Sequence, residues 1–296
     1  MMEKKFGYVA LFGRPNAGKS TLLNSIIKEH IAITSSKAQT TRNRIQGIYN
    51  DKDSQIVFLD TPGVHKPLHA LGDSLNKEAY SSIKDVDLVL YMVDVSEKDG
   101  RGDDFLLERL EKVECPVILV LNKVDLINKV ELAEKITKWN LKREFAEIFP
   151  LSAKKGSNVE KLIETIKSYL DYGIPFYDED MITDKSERFM VAEYVREKIL
   201  RLTEKEIPHS VAVTIDRMQF GRKSCDIDAT IVVEKQSQKA IIIGNQGTLI
   251  KRIGTYARED IEKLLDKKVM LELFVKVEKD WRNKPKYLKE FGYKDE

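Results

Sequence analysis

The sequence predicts an α/β fold with parallel strands in its first part and a smaller α+β fold in its second part. Three observations carry this prediction. Apolar runs typical of buried parallel strands alternate with helical stretches in the first part. A glycine-rich loop lies between the first of these runs and a helix. The second part has the predicted order helix, strand, strand, helix, G-x-x-G, helix and strand.

Length and composition limit the class of protein. With 296 residues, 42% hydrophobic and 33% charged, the chain is long enough for two globular domains. The net charge is only +2, but residues 183–296 hold 24 Lys and Arg against 20 Asp and Glu, whereas residues 1–182 hold 26 against 28. The second part is therefore the better candidate for binding a polyanion.

Neither the cysteines nor the N-terminus indicates export. Cys115 and Cys225 lie far apart without clustered histidines, so no disulfide framework or zinc site is predicted. The sequence has no apolar run of 18 residues and no signal-peptide pattern. We expect an intracellular, cytoplasmic protein.

The glycine-rich loop spans residues 13–20 (GRPNAGKS) and fits the phosphate-binding pattern G-x-x-x-x-G-K-[ST]. It follows the apolar run 6–12 and precedes the helix-prone residues 21–28. Backbone N–H groups at a helix N-terminus bind phosphate, Lys19 supplies positive charge and the Ser20 hydroxyl is a ligand for Mg²⁺. The predicted nucleotide-binding residues of this loop are Gly13, Asn16, Ala17, Gly18, Lys19, Ser20 and Thr21.

Two further segments are candidates for sensing a γ-phosphate. Residues 31–42 are polar and lack periodicity, and either Thr41 or Thr40 is expected to present a hydroxyl to Mg²⁺; the alternative is an ordinary surface loop. The run 56–59 ends in Asp60-Thr61-Pro62-Gly63. Asp60 is expected to hold Mg²⁺ through water, and the Gly63 N–H to meet the γ-phosphate.

Two later motifs select the base. The strand-like run 117–121 ends in Asn122-Lys123-Val124-Asp125. The Asp125 carboxylate can accept from both N1–H and the 2-amino group of guanine, a donor pair that adenine lacks. Downstream, Ser152, Ala153 and Lys154 are expected to meet guanine O6 through a backbone N–H.

These motifs, in this order, make residues 6–170 resemble the translation-factor-related GTPases. The resemblance implies a doubly wound, mostly parallel sheet, GTP and GDP as ligands, Mg²⁺ as cofactor and slow intrinsic GTP hydrolysis. It places Ser20, Thr41 and Asp60 at the metal, the last through water. The residues that it implies in catalysis are Lys19, Thr41, Gly63 and Asn16.

One position departs from the pattern of many GTPases. Val64 stands where a glutamine orients water, and a valine side chain cannot hydrogen-bond to water. The chain thus resembles the branch with a hydrophobic residue there, in some members of which K⁺ bound by an asparagine replaces an arginine finger. We hypothesise that K⁺ and Asn16 support hydrolysis; the alternative is that Asn16 only stabilises the loop. The neighbouring His65 is interpreted as a bystander.

The boundary between the two parts is predicted at residues 171–182, an acidic stretch without periodicity that follows a helix beginning near residue 157. This predicts domains at 1–170 and 183–296. In the second domain Gly244-Asn245-Gln246-Gly247 lies between two helices, where glycines let phosphates approach the backbone, and Lys251 and Arg252 follow on the next helix. These features resemble a type II KH domain, which implies binding of single-stranded RNA.

The C-terminal tail interleaves basic and aromatic residues. Trp281 and Arg282 are predicted to contact RNA, although Trp281 and Tyr287 could instead tie the terminus to the domain. A GTPase domain followed by a type II KH domain resembles a family of bacterial GTPases of small-ribosomal-subunit maturation, over nearly the whole chain. The resemblance implies binding near the 3′ end of 16S ribosomal RNA, control of RNA affinity by GTP, and some peripheral association with the inner face of the cell membrane. We expect a monomer.

Two other classes are less well supported. A GTPase that acts on a metabolite would need a cluster of catalytic side chains in the second part, and the sequence shows none there. A switch of membrane trafficking would need a lipidation signal, which neither end of the sequence shows.

Overall fold

A computed structural model of the chain describes residues 3–293. These residues separate into two compact units. The first contains residues 3–34, Thr41–Pro67 and Leu75–Asp184; the second contains Ser35–Thr40, Leu68–Ser74 and residues 185–293. The outermost positions of the two predicted domains, 1–2 and 294–296, lie outside the described residues.

The first unit is a seven-stranded sheet with helices. Its strands are β1 (Lys4–Gly13), β2 (Ile45–Asn50), β3 (Ser54–Asp60), β4 (Leu88–Asp94), β5 (Val117–Asn122), β6 (Glu147–Leu151) and β7 (Asp171–Gly173). Its helices are α1 (Lys19–Ile27), α2 (Ala70–Ser81, whose first residues are counted with the second unit), α3 (Arg101–Leu110), α4 (Lys129–Lys142) and α5 (Val159–Tyr169).

The order β2-β3-β1-β4-β5-β6 makes this sheet doubly wound. All pairs from β3 to β6 are parallel, and only β2 and the short β7 pair antiparallel to their neighbours. Every residue of β3 and β5 is buried, which explains why these strands have continuous apolar runs rather than alternation. The predicted α/β class is confirmed for this unit.

The predicted linker has more structure than its composition indicates. Residues 171–173 form β7, which pairs with the start of β1. Further on, Ile182 accepts a main-chain hydrogen bond from Ile48, and Thr183 forms a bridge with Gly47. Residues 171–184 therefore belong to the first unit. The division of function between 1–170 and 183–296 stays a prediction.

The second unit has the predicted α+β order. Its helices are α6 (Glu187–Leu202), α7 (Ile207–Ser210), α8 (Gln236–Ile243), α9 (Thr248–Leu265) and α10 (Pro285–Glu290). Its strands are β8 (Ala212–Phe220), β9 (Ser224–Val233) and β10 (Lys268–Val277). β9 pairs parallel to β10 and antiparallel to β8. α9 buries one residue every four positions, which is the helical period of an amphipathic face: Ile253, Ala257, Ile261 and Leu265.

Candidate functional site

The glycine-rich loop lies where ligands bind in open parallel sheets. β1 has β3 on one side and β4 on the other, so the strand order reverses at β1, and the loop begins at its last residue, Gly13. Gly18 caps the N-terminus of α1 with φ 96°. A Cβ at Gly18 would also lie 2.1 Å from Asn122 Nδ2, so the position requires glycine for two reasons.

The other predicted residues of the loop surround this helix start. Asn16 is exposed and left-handed, with φ 63°. Ala17 is buried, and Ser20 and Thr21 are partly buried in the first turn of α1. The structure thus presents the loop's backbone and the N-terminus of α1 together, which is the geometry of an anion site.

Lys19 and Asp60 form the electrostatic centre of the site. Lys19 is 6% exposed and Nζ donates to the carbonyl oxygens of Gly13 (3.2 Å) and Arg14 (3.0 Å). Burial lowers the pKa of Lys19 to about 8, although Asp60 opposes the shift. Burial raises the pKa of Asp60, against the stabilising effect of Lys19 and two hydroxyl donors. The opposite charges of Lys19 and Asp60 therefore offset part of the cost of burying each of them away from water.

The structure distinguishes the two threonines that the sequence left open. The Thr41 hydroxyl lies 2.8 Å from Ser20 Oγ and 3.3 Å from Asp60 Oδ2, and Ser20 Oγ donates to the same Oδ2 at 2.6 Å. The Thr40 hydroxyl instead donates to the carbonyl oxygen of Lys37 at 2.7 Å. Three oxygen ligands of the kind that Mg²⁺ prefers therefore meet at Ser20, Thr41 and Asp60.

Asp60 also offers a free oxygen in this cluster. Its Oδ1 is buried and accepts no hydrogen bond within residues 3–293. A buried carboxylate oxygen without a partner is costly, and a hydrated cation would satisfy it. The donor set fits Mg²⁺ on this ground.

Gly63 lies against the phosphate loop. A Cβ on Gly63 would come within 2.6 Å of Pro15 Cα, so only glycine permits this approach. The next residue, Val64, is 5% exposed and packs into the hydrophobic core beside Phe12 and Tyr91. Val64 thus points away from solvent. His65 Nδ1 lies 3.0 Å from the Gly63 carbonyl oxygen.

Asn122 joins three of the predicted motifs. Its Nδ2 donates to the Ala17 carbonyl oxygen at 2.8 Å, and its Oδ1 accepts from the Ala153 N–H at 3.0 Å. The side chain is 1% exposed, so both bonds are shielded from water. Asn122 therefore holds the phosphate loop and the Ser152–Lys154 segment in register, and the carboxylate predicted to read the base is that of Asp125.

The rest of the base site lies around Asp125. The Ser152 hydroxyl donates to Asp125 Oδ1 at 2.6 Å, which orients the carboxylate. Lys123 is left-handed, with φ 68°, and forms an ion pair with Asp94 at the end of β4. Lys154 is exposed. Asp125 is exposed as well, so its second oxygen can reach a ligand.

We expect Asn122→Asp to weaken both the first unit and its nucleotide binding. The variant keeps the acceptor for Ala153 but replaces the donor to Ala17 with a second oxygen. Leaving that buried carbonyl unsatisfied costs about 1–3 kcal/mol of unfolding free energy. Thermal unfolding and GDP titration would measure the two effects.

Asn128→Asp is the matched control. Asn128 caps α4 by accepting from Val130 N (2.9 Å) and Glu131 N (3.0 Å), and aspartate caps helices as well as asparagine does. The control should unfold like the wild type. Equal behaviour of the two variants would contradict the role assigned to Asn122.

The second candidate site is the G-x-x-G loop between α8 and α9. Gly244 has φ 73° and ψ 174°, a region open essentially to glycine alone. Gln246 and Gly247 are left-handed, with φ 52° and 76°, and Asn245 and Gln246 are exposed. Lys251 and Arg252 are exposed on the first turns of α9. The loop thus combines an accessible backbone with cations beside it.

The structure buries most of Trp281 and Arg282, the two side chains predicted to contact RNA in the tail, and their contact with RNA stays a prediction. The Trp281 ring is fully buried and stacks against the Tyr293 ring, and its Nε1 donates to the Ser210 carbonyl oxygen at 2.9 Å. The Arg282 guanidinium is mostly buried against the Glu234 carboxylate at 2.6 Å. These two side chains are packed inside the second unit and attach the C-terminal segment to it.

Two residues at these sites, Asp94 and Ile241, were not predicted from the sequence. Asp94 could have been found, since it is the polar residue that ends the apolar run of β4 beside Asn122. Ile241, 53% exposed on α8, adds an apolar surface near the loop. An apolar residue in a helix is ordinarily assigned to the core, so no sequence signal marks it.

A phosphate loop with a guanine-type base motif, followed by a KH-type loop, defines a GTPase joined to an RNA-binding domain. Two family profiles match the sequence: "50S ribosome-binding GTPase" over residues 8–123 and "KH domain" over residues 206–282. The chain is similar to a Tyr-to-Ala variant of Aquifex aeolicus Era solved with GDP·AlF4⁻. The identity is 41%, over 98% of this chain and 99% of that one, with a TM-score of 0.94.

A second solved structure extends this similarity. Era in complex with MgGDPNP and nucleotides 1506–1542 of 16S ribosomal RNA is 42% identical, over 98% of this chain and 99% of that one, with a TM-score of 0.93. The chain therefore belongs to the Era family, and it is a GTPase. Within residues 3–293, no helix combines the length and apolarity needed to cross a membrane.

Proposed function

We propose that this chain is a GTP-driven switch that binds the 3′ region of 16S ribosomal RNA through its KH domain and acts in maturation of the small ribosomal subunit. One observation carries the proposal. The exposed G-x-x-G loop, with Lys251 and Arg252 beside it, occurs in a chain that matches over 98% of its length an Era structure holding that RNA segment and MgGDPNP. The family model described as "50S ribosome-binding GTPase" matches only residues 8–123, whereas the similarity to the RNA-bound Era structure extends over 98% of the chain.

In the first unit, the loop 13–20 binds the phosphates, with Lys19 placed to neutralise charge on the β- and γ-phosphates. Asp125, oriented by Ser152, selects guanine, and the segment Ser152–Lys154 supplies a backbone N–H to O6. Ser20, Thr41 and Asp60, the last through water, are the residues that would hold Mg²⁺. When bound, this ion supplies charge neutralisation for the phosphates.

Gly63 and Thr41 are the residues that distinguish GTP from GDP. The Gly63 backbone lies against Pro15 of the phosphate loop, so its N–H is placed to meet a γ-phosphate. Val64, in the core, cannot orient the attacking water. Positioning and electrostatic stabilisation therefore carry the reaction, which is consistent with slow intrinsic hydrolysis.

RNA binding and nucleotide state are coupled in this proposal. If RNA prefers the GTP form, linkage requires that RNA raises the affinity for GTP over GDP by the same factor. Fluorescence anisotropy with an RNA of 16S nucleotides 1506–1542 would measure the affinity in the presence of GDP and of a non-hydrolysable GTP analogue.

We expect the RNA to bind the analogue-loaded protein at least about fivefold more tightly than the GDP-loaded protein, which is the lower range of ordinary allosteric coupling. A scrambled RNA of equal length is the control for charge alone. Identical affinities in the two nucleotide states would refute the switch. Identical affinities for the two RNAs would refute the RNA target.

K⁺ is the proposed substitute for an arginine finger. Asn16 stands exposed in the left-handed region of the phosphate loop, beside the segment that approaches Gly63. We expect GTP hydrolysis to be at least about tenfold faster in K⁺ than in Na⁺ buffer, since one fixed charge at a transferring phosphate is worth that much or more. Asn16→Ala should remove the difference. Equal rates of the wild type in the two salts would exclude the role.

The proposed cellular setting is based on the resemblance to the same family. We propose a monomer of the cytoplasm that works on the small ribosomal subunit and associates peripherally with the inner face of the membrane. Cell fractionation, with ribosomal and membrane fractions assayed separately, would test both parts.

A further inference from the structure

Arg196 of α6 is a completely buried cation outside the catalytic machinery. Its Nε and Nη2 donate to the two carboxylate oxygens of Glu193, at 2.7 and 2.6 Å. Burial opposes its charge, but the Glu193 carboxylate overcomes this effect and the pKa of Arg196 is raised. The guanidinium is therefore charged and fixed in orientation by a bidentate pair.

The same guanidinium bonds to the polypeptide segment that leads to the metal cluster. Arg196 Nη2 donates to the main-chain carbonyl oxygen of Thr40. Segment Ser35–Thr40 belongs to the second unit together with α6, so this is a contact inside that unit, whereas Thr41 belongs to the first. A fully buried arginine is uncommon, and the guanidinium of Arg196 is directed at a backbone carbonyl outside its own helix.

Because the peptide bond is planar, the hydrogen bond to the Thr40 carbonyl also constrains Thr41. The carbonyl of Thr40, the amide nitrogen of Thr41 and the Cα of Thr41 lie in one rigid plane. Fixing the direction of the Thr40 carbonyl therefore fixes the start of residue 41. The Thr40 side chain does not compete, because its hydroxyl is bonded to Lys37.

We propose that Arg196 is a positioning residue for Thr41: it holds the Thr40 peptide so that the Thr41 hydroxyl stays beside Ser20 and Asp60. The inference rests on the proposed role of Thr41 as a Mg²⁺ ligand in the triphosphate-bound state. Arg196 is assigned no role as a ligand of nucleotide or metal; it acts through the Thr40 peptide.

The helix that carries Arg196 is also tied to the helix of the RNA-binding loop. α6 packs against α9, and Lys198 of α6 forms ion pairs with Asp260 of α9 and with Glu197. α9 starts directly after the G-x-x-G loop. A displacement of α9 by RNA would therefore be transmitted to α6, whose Arg196 orients the Thr40 carbonyl. Arg196 is thus a specific residue through which RNA binding and nucleotide state would be coupled.

The test is binding of a non-hydrolysable GTP analogue and of GDP as a function of Mg²⁺ concentration, which needs no hydrolysis. For Arg196→Met, we expect the Mg²⁺ concentration at half-saturation of analogue binding to rise about tenfold, the value of one charge-assisted hydrogen bond. GDP affinity should stay within about twofold, because Thr41 meets the metal only with a γ-phosphate. Arg196→Lys should restore part of the loss.

Arg188→Met is the matched control. Arg188 also lies on α6 and donates to main-chain carbonyl oxygens, those of Ile215 and Asp216, but not to the segment before Thr41. Its Mg²⁺ dependence should equal that of the wild type. The same Mg²⁺ dependence for folded Arg196→Met and Arg188→Met would overturn the proposal.

Two further variants distinguish a failure of the inference about Arg196 from a failure to fold and from a failure of the proposed role of Thr41. If Arg196→Met does not fold, Glu193→Gln replaces it: this variant keeps Arg196 but weakens its orientation, and the half-saturating Mg²⁺ should rise about threefold; no rise would overturn the proposal. Thr41→Ala tests the metal role separately. If Thr41→Ala has no effect on Mg²⁺ dependence, the proposed function of Thr41 fails. If it has an effect and Arg196→Met has none, only the inference about Arg196 fails.

Discussion

Asp125→Asn is expected to lower the affinity for GDP about 1000-fold and to make xanthosine diphosphate the better ligand. Guanine presents two donors, N1–H and the 2-amino group, and a carboxylate accepts both. An asparagine amide accepts from one and turns its own NH₂ toward the other. One hydrogen bond to a charged acceptor is lost, the other is kept only with a neutral oxygen, and two donors now face each other, which together account for a factor of this size.

Xanthine reverses the pattern because it carries an acceptor at position 2. The amide oxygen and NH₂ of the variant match N1–H and this acceptor, so xanthosine diphosphate should bind the variant better than it binds the wild type. The Ser152 hydroxyl can still donate to the amide oxygen and keep it oriented.

Competitive titration with the two nucleotides measures the change. The control Asp53→Asn alters an exposed carboxylate in the turn before β3 and should leave both affinities unchanged. A loss of affinity that is equal for the two bases would show that Asp125→Asn damages the loop, and would contradict direct reading of the base.

Gly244→Ala is expected to lower RNA affinity about 5- to 150-fold and to leave GDP binding unchanged. A Cβ at this position would lie 2.8 Å from Leu249 N and 2.9 Å from Leu249 Cβ, and the backbone conformation itself is one that alanine rarely adopts. Strain of about 1–3 kcal/mol would move the loop away from its phosphate-binding geometry. Anisotropy with the 16S fragment measures the RNA affinity.

Gly247→Ala is the graded comparison in the same loop. Gly247 has φ 76° and ψ 16°, a left-handed conformation that other residues reach at smaller cost, and a Cβ there would meet only Ile250 Cγ2, at 4.0 Å. Its effect on RNA binding should be clearly smaller than that of Gly244→Ala. An equal effect of the two would show that RNA reads the glycines by contact alone and not through the strained conformation of Gly244.

Several features of the nucleotide site were predictable because they depend on local sequence. The loop 13–20 needs a strand before it and a helix after it, and both are evident as an apolar run and a helix-forming stretch. Asp60 and Asn122 end buried strands and Ser152 directly follows a third strand, which was sufficient to place them at one edge of the sheet. Parallel strands bring their carboxyl ends together whatever the details of packing.

Other features depend on contacts that no local pattern records. The choice of Thr41 over Thr40 depends on which hydroxyl faces Ser20 and which faces Lys37. The role of Asn122 as a clamp depends on the approach of Ala17 and Ala153, which lie far away in the chain.

The C-terminal tail is the clearest case in which the sequence alone could not decide the role of a segment. A basic and aromatic composition is typical both of an RNA contact and of a docked terminus, and only packing decides between them. Trp281 buries its whole ring and finds a hydrogen-bond acceptor at Ser210, so its apolar surface stabilises the second unit.

The sequence by itself determined the fold class, the guanine-type base motif and the KH-type loop, because motif spacing and hydrophobic periodicity are properties of the chain in order. Only the tertiary structure decided which threonine joins Ser20 and Asp60, that Trp281 is buried, and that Arg196 holds the Thr40 peptide. These depend on hydrogen bonds and burial between residues up to 156 positions apart. Such contacts are set by how the elements pack, and sequence periodicity carries no record of them.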